Sequence, residues 1–299
     1  MLAAGHAVTV YDNFSTGQRD FVAHNLGRKD YHLVEADLLD EARLREAVTG
    51  HDLVFHLAAN ADVRHGLEHP RRDLEQNTIA TFNVLDAMRR TGVRRIAFSS
   101  TGSIYGEPTV FPTPEDGPFP VQTSLYGASK LAGEGLIAAF AEGYKFSAWV
   151  FRFVSILGER YTHGHIFDFA RQLRQDPSRL RVLGNGQQRK SYLYVQDCID
   201  AILLAVAERP DGFQVMNLGL DEYVTVNDSI GVITRTLGVS PQLEYTGGER
   251  GWVGDSPFIF LDCTKMRALG WAPKLKIREA VERTTKYLAG NPTLLDRRE

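Results

Sequence analysis

Tyr126-Gly-Ala-Ser-Lys130 places a phenol and an ammonium four residues apart, so on a helix they share one face. A neighbouring cation favours phenolate and would draw a tyrosine pKa down from about 10 toward neutrality. That is what a general base acting on an alcohol needs. Upstream, Phe98-Ser-Ser-Thr101-Gly-Ser-Ile-Tyr105-Gly106 reads as a strand running into a polar turn. A Thr101 hydroxyl at that strand end can hydrogen-bond a substrate oxygen beside the tyrosine. Serine and threonine also cap loops, and Ser99 or Ser103 fits that simpler role.

The elements that must position these groups alternate in type. Strands are expected at Ala7–Tyr11, Tyr31–Val34, Leu53–Leu57, Ile96–Ser99 and Ser147–Phe151, each short, β-branched or aromatic, and closed by polar or glycine-containing sequence. Helical patterns fall between them at Glu41–Thr49, Arg72–Thr91 and Tyr126–Gly143. The alternation predicts an α/β fold, a Rossmann-like parallel sheet with helices on both faces. Ligands of such sheets sit outside the carboxyl ends of the strands. There the chain carries Asp12, Asp37, Ala58-Ala59-Asn60 and Ser99 to Ser103, four consecutive strand ends with polar or small residues. From about Leu157 the rhythm loosens into turn-rich stretches and helices at Ile166–Gln175, Val195–Glu208, Val224–Leu237 and Ile277–Leu288. A smaller α+β substrate-binding region is expected there. The division predicted is a dinucleotide-binding part over 1–156, to which 189–218 returns, and a substrate part over 157–188 and 219–299.

In order along the chain come Val10-Tyr-Asp-Asn-Phe-Ser-Thr-Gly17, Asp37-Leu38, His56-Leu-Ala-Ala-Asn-Ala-Asp-Val63, Asn77, Ser99-Ser-Thr101, Tyr126-x-x-x-Lys130 and Leu269-Gly-Trp-x-Pro273. With these motifs the sequence resembles the extended short-chain dehydrogenase/reductase family, and within it the UDP-glucose 4-epimerase group of nucleotide-sugar enzymes. The resemblance implies NAD as cofactor and a nucleotide-diphosphate sugar as substrate. It implies that Asp12 takes the adenosine ribose hydroxyls, where a carboxylate would also repel the extra phosphate of NADP. Asp37 and Leu38 would flank the adenine, and Leu57, Ala58 and Ala59 would let the backbone approach the cofactor. Asn77 would lie beneath it, Lys130 would also hold the nicotinamide ribose, and Asn13, Ser99 and Val154 fall in the same crevice. Thr101, Tyr126 and Lys130 match the catalytic positions. In the family's chemistry the tyrosine takes the proton of the sugar 4-hydroxyl while hydride passes from C4 to NAD; the keto sugar turns over and receives the hydride on its other face.

The chain departs from the family pattern in several places. Its members open on a buried strand and a Gly-x-x-Gly-x-x-Gly loop whose helix N-terminus holds the pyrophosphate. Here no glycine-rich loop precedes Asp12, and Met1 to Val8 matches the end of that helix and the second strand. The expectation is a misplaced start or truncated gene model, two exposed strand edges, and weak NAD binding by residues 1–299. Arg152-Phe-Val-Ser155 carries serine where members carry asparagine, and Gly184-Asn-Gly-Gln-Gln-Arg-Lys190 places Lys190 at the phosphate-binding arginine. Arg250, ahead of Gly254-Asp255, resembles the second diphosphate arginine; surface charge is the plainer alternative for both cations. Ser155, Lys190, Arg250 and Thr101 are therefore the expected substrate contacts, joined by His165. His163-Gly-His165 has metal-ligand residue types but no third ligand at a supporting spacing, so no metal is expected.

Related enzymes with other outcomes, 4,6-dehydratases and decarboxylases, remain a second hypothesis. Dehydratases must move protons beside the keto group, and similar sequences often carry an acid just after the catalytic threonine. Here those positions are Gly102 and Ser103, which favours epimerisation. A third hypothesis, a non-catalytic dinucleotide or sugar-nucleotide binder, is opposed by the intact Thr101, Tyr126 and Lys130. A net charge of -3 gives no footprint for nucleic acid or an anionic membrane, and no apolar run approaches a membrane span. The 2 cysteines, Cys198 and Cys263, are too few for a disulfide scaffold. No signal-peptide pattern opens the chain, and a cytoplasmic setting is expected. Surplus apolar residues on two helices (Ile79, Phe82, Val84, Leu85, Met88; Leu131, Leu136, Ile137, Phe140) predict a homodimer through 72–91 and 126–143.

Overall fold

A computed structural model describes residues 1–60, 66, 68–118, 121–208, 212–252, 255–256 and 258–296. Residues 61–63, the end of the His56 signature, and Gly254 lie outside the described residues. Strands β1 (Val8–Asp12) and β2 (Tyr31–Glu35) pair in parallel, and helix α1 (Glu41–Val48) leads to β3 (Val54–His56). Helices α2 (Pro70–Asp73) and α3 (Ala80–Thr91), strand β4 (Arg95–Thr101), helix α4 (Leu125–Tyr144) and strand β5 (Ser147–Phe153) follow. β3, β4 and β5 form one parallel sheet, completed by β10 (Phe213–Leu218) beside β5. The expected parallel α/β architecture is therefore present.

The centre of this sheet is buried on both sides, and the period-2 alternation of strands divides its side chains between two cores. Ile96, Phe98, Ala148 and Val150 point into one with Leu85, Met88 and Ile137 from the helices. Ala97, Trp149 and Phe151 point into the other, with Ile166, Phe167, Ala201 and Ile202. The β1–β2 pair shares no ladder with this sheet among the described residues, so β1 and β3 each leave one edge unpaired. It is tied in by side chains instead: His51 Nε2 lies 2.9 Å from Thr9 Oγ1, and Tyr11 packs on the Leu85–Phe98 core.

Beyond β5 run β6 (Ser155–Leu157), α5 (His165–Gln175), β7 (Arg179–Val182), β8 (Arg189–Lys190), β9 (Tyr192–Tyr194) and α6 (Val195–Glu208). After β10 come β11 (Val224–Thr225), α7 (Val226–Leu237), β12 (Gln242–Tyr245), β13 (Phe258–Ile259), α8 (Thr264–Ala268) and α9 (Ile277–Gly290). These strands form small ribbons: β6 with β9, β7 with β12, and β8 between β11 and β13.

Element ends follow local chemistry. Ser124 caps α4 by accepting from the Gly127 N–H at 3.0 Å, and Thr225 and Asp228 close a capping box on α7. The α7 helix begins after Val224 because Val224 and Thr225 pair with β8 as a strand. One expectation fails in an informative way. The helix expected over Arg72–Thr91 starts at Pro70, a favoured first position, and is interrupted by a π-helical turn, Leu74–Ile79. Such wide turns recur at functional sites, and this one carries Asn77.

Candidate active site

The end of β4 and the first turns of α4 bring the three expected catalytic residues together. Tyr126 hydrogen-bonds the Thr101 side chain. Thr101 also donates to Ser103 Oγ at 3.2 Å and accepts from the Ser103 N–H at 3.1 Å, so it caps the turn Gly102–Tyr105 as well as facing the phenol. Lys130 Nζ donates to the Ser99 carbonyl at 2.8 Å and lies 4.7 Å over the Phe98 ring. Gly127 permits this approach: a Cβ there would stand 3.0 Å from the Ser103 carbonyl oxygen and 2.8 Å from Gln122 Oε1.

The electrostatics correct the sequence expectation for the tyrosine. Burial pushes the Tyr126 phenol up to about 12; the Thr101 hydrogen bond opposes the rise and the Asp73 charge adds to it. Lys130 does not draw it down, because its ammonium is aimed at the strand carbonyl. Burial takes Lys130 itself down to about 7, against the pull of Glu134. Desolvation disfavours the charged form of either group, and it dominates here.

The strand ends near this centre carry polar groups. Asn13 Nδ2 donates to Asp37 Oδ2 at 2.7 Å, while Asp37 Oδ1 accepts from the Leu39 N–H at 2.9 Å. Asp12 Oδ1 accepts from the Phe14 N–H at 2.7 Å, and Leu38 gives its carbonyl to Asn83 Nδ2 at 3.0 Å. Leu57 is 58% exposed, with Ala58 exposed beside it and Ala59 half-buried. An exposed apolar strand end after β3 and the carboxylates Asp12 and Asp37 at the ends of β1 and β2 are the group types a dinucleotide uses, since its adenosine needs hydroxyl acceptors and a flat apolar seat. Ser99 Oγ donates to the His56 carbonyl at 3.3 Å. Val154 is buried against Gly219, where a Cβ would meet it at 3.0 Å. Asn77 turns inward from the π-helical turn: its Oδ1 accepts from the Asn60 N–H at 2.8 Å and its Nδ2 donates to Ser129 Oγ at 2.9 Å. It thereby links the loop after β3 to α4.

The expected substrate contacts are held apart from this cluster's hydrogen bonds. Lys190 Nζ is paired with buried Asp255 at 2.6 Å and also donates to the Ser256 carbonyl. Arg250 pairs with Glu107 on the surface. Both cations expected to face a diphosphate are thus already neutralised by carboxylates. Ser155 is exposed at the start of β6. His165 Nδ1 sits 3.2 Å from the Tyr192 hydroxyl, its buried Nε2 has no hydrogen-bond partner among the described residues, and burial lowers its pKa to about 3.

Three further polar residues escaped the sequence reading. Asp73 is buried and accepts from Asn60 Nδ2 at 2.9 Å. Glu134 and Arg152 form a buried ion pair at 2.8 Å. The available signal was spacing: Glu134 stands one helical repeat beyond Lys130 on the face that carries Tyr126.

This fold and site define a dinucleotide-dependent short-chain enzyme, and comparison with known proteins agrees. Residues 1–219 match the family described as NAD dependent epimerase/dehydratase, and the chain belongs to that family. It is 29% identical over 298 residues to a putative UDP-glucose 4-epimerase of Methanocaldococcus jannaschii, covering 97% of this chain and 93% of that protein. A crystal structure of a UDP-galactose 4-epimerase superposes with a TM-score of 0.86 at 37% identity, covering 97% of this chain and 93% of the other. The UDP-glucose 4-epimerase of Thermotoga maritima, solved with UDP-glucose, gives 0.85 at 30% identity over the same shares.

Proposed function

We propose that this chain is an NAD-dependent epimerase that inverts C4 of a UDP-hexose or another nucleotide-diphosphate hexose through a transient 4-keto sugar. The observation that carries it is the Tyr126–Thr101 hydrogen bond at a strand end, with Lys130 seated on the same helix face. NAD, when bound, supplies the hydride carrier and a positive ring charge in the crevice. Thr101 is placed to hold the sugar 4-oxygen, and Tyr126 to take and return its proton. The Thr101 hydrogen bond opposes the burial that keeps the phenol neutral, while protonated Lys130 holds the Ser99 carbonyl and its remaining donors are assigned to ribose hydroxyls. Asp12, Asn13, Asp37, Leu38, Leu57, Ala58, Ala59, Asn77, Ser99 and Val154 are assigned to the cofactor crevice.

Lys190, Arg250, His165 and Ser155 are assigned to the nucleotide-sugar, with Asp255 and Glu107 released as the diphosphate replaces them. Residues 1–156 with 189–218 form the cofactor part in this reading, and 157–188 with 219–299 the substrate part. Elimination is disfavoured because position 102 has no room for an acid: a Cβ on Gly102 would stand 3.0 Å from Ile259 Cγ2.

We also assign a homodimer through 72–91 and 126–143. Val84, Leu85, Met88 and Ile137 are spent on the core, and the support rests on Ile79 and Phe82, which remain 38% and 45% exposed. A monomer by light scattering at micromolar concentration would refute it. Among the described residues no helix is long and apolar enough to cross a membrane. The cytoplasm is the assigned setting, supported by two unpaired buried cysteines. The function itself is tested by proton NMR of the anomeric region with UDP-galactose and NAD. Appearance of UDP-glucose supports it, and a 4-keto-6-deoxy product would replace epimerisation by dehydration.

A further inference from the structure

Tyr126 and Lys130 carry the chemistry, and the third side chain of their helix face has no part in it. Glu134 is 4% exposed. A buried carboxylate is costly unless it is paired and hydrogen-bonded, and this one is fully engaged. Arg152 grips it with Nη2 to Oε2 at 2.8 Å and Nε to Oε1 at 3.1 Å, and the Ser100 hydroxyl donates to Oε1. The other end of the guanidinium, Nη1, donates to the Tyr105 hydroxyl at 2.6 Å and the Glu115 carbonyl at 2.8 Å. Tyr105 donates on to Asn217 of β10 at 3.0 Å. The carboxylate is therefore anchored to β4, β5 and β10 together.

Well-packed apolar residues often replace a buried ion pair at no loss of stability, so the charge here invites a role other than stability. Its neighbours on β4 supply one. Three consecutive strand residues meet three successive turns of α4: Thr101 bonds Tyr126, the Ser99 carbonyl takes Lys130, and Ser100 bonds Glu134. A slip of α4 by one residue would break all three. We propose that Glu134 is a positioning residue for the epimerisation: held by Arg152 and Ser100, it fixes α4 on β4 and keeps the Lys130 ammonium charged. The role rests on the epimerase reading of this same site.

Lys130 is 2% exposed and burial has brought it to about 7, so its charge at neutral pH is balanced on one neighbour. The titratable groups around it are Tyr126 and Glu134 on its own helix and His56 on β3, with Arg152 on β5 behind Glu134 and Asp73 from α2 near Tyr126. His56 is held neutral, with its pKa lowered to about 3. Glu134 is the group that opposes burial of the ammonium. Removing its charge leaves Lys130 to lose its proton below neutrality, and with it the ammonium that holds the Ser99 carbonyl and offers its remaining donors to the cofactor ribose beside Tyr126.

The test is Glu134→Gln, which keeps shape and removes charge. The Lys130 signal of protein labelled at lysine Cε, assigned by its loss in Lys130→Met, is titrated by NMR in the wild type and the variant. Its midpoint should fall by about one unit, a tenfold change in the protonation constant. At pH 7.5 kcat should fall about tenfold with KM changed by less than about twofold, the deficit shrinking toward pH 6. A folded variant with the wild-type lysine midpoint and pH profile would overturn the proposal, since a merely structural glutamate moves thermal stability alone. If Glu134→Gln does not fold, the volume-matched double change Glu134→Gln with Arg152→Met carries the test, with the same downward shift expected and an unshifted midpoint overturning it. A wild-type chain without epimerase turnover would refute the epimerase reading, and the lysine titration would still decide the role of Glu134.

Discussion

Two polar clusters of this molecule are built on opposite principles. Around β4 and α4 the proposed catalytic side chains bond strand atoms and one another: Lys130 the Ser99 carbonyl, Tyr126 the Thr101 hydroxyl. Around β8 and residues 250–256 the cations bond carboxylates, Lys190 to Asp255 and Arg250 to Glu107. The first arrangement is preorganised on regular elements, so little has to move when the reaction occurs. In the proposed reading, the second must exchange partners before an anionic diphosphate can bind. The difference teaches where substitutions should register: kcat for the first cluster, KM for the second.

The largest expected effect breaks the first cluster. Tyr126→Phe should cut kcat by ~10²–10⁴-fold while nucleotide-sugar binding, followed by calorimetry, stays nearly intact. A variant with near-wild-type kcat would remove the phenol from the chemistry.

Each side of the molecule also buries one neutral histidine, His56 and His165, with pKa lowered from 6.5 to about 3 by burial. The unfolded chain takes up these protons near pH 6.5 and the folded chain only near 3. The stability they permit is thus present above 6.5 and lost as pH falls across that window. Between pH 7 and 4.5 each should cost on the order of 2 kcal/mol. His56→Leu and His165→Leu should each flatten that fall in urea titrations, and equal slopes would show that neither histidine is buried neutral.

Next in size, Asp12 should favour NAD over NADP by more than about tenfold, through repulsion of the added phosphate. Fluorescence titration with both cofactors checks it, and equal affinities would place Asp12 elsewhere. The smallest effect sharpens the second cluster. Glu107→Gln frees Arg250 from an exposed pair, and such pairs are worth about 0–1 kcal/mol. KM should fall by up to about fivefold, and a rise would show that Glu107 helps binding.

The sheet and the grouping of the proposed catalytic residues were legible because both are local signals. Strand alternation is written in Arg95–Thr101 and Ser147–Phe153, and the Tyr126–Lys130 spacing fixes a shared helix face. The rest depends on contacts far apart in sequence. Lys190 meets Asp255 across 65 residues and Arg250 meets Glu107 across 143, and neither motif announces its partner. The π-helical turn at Leu74–Ile79 sits inside an unbroken helical pattern, and what shapes it is the bonding of Asp73 and Asn77 to Asn60. Glu134 has a charged type that reads as a solvent face until Arg152 is seen opposite. The Tyr126 pKa was misjudged because spacing shows that Lys130 is near and not where its ammonium points.

The most direct test of the account follows the hydrogen at C4. A UDP-hexose deuterated at that carbon is incubated with the chain and NAD, and the product is read by NMR and mass spectrometry with absorbance at 340 nm recorded alongside. Hydride leaving and returning to one carbon under Tyr126 predicts the C4 epimer with deuterium retained at C4 and no accumulating NADH. Deuterium lost to solvent, NADH formed in step with substrate, or a product lighter by one water would contradict it.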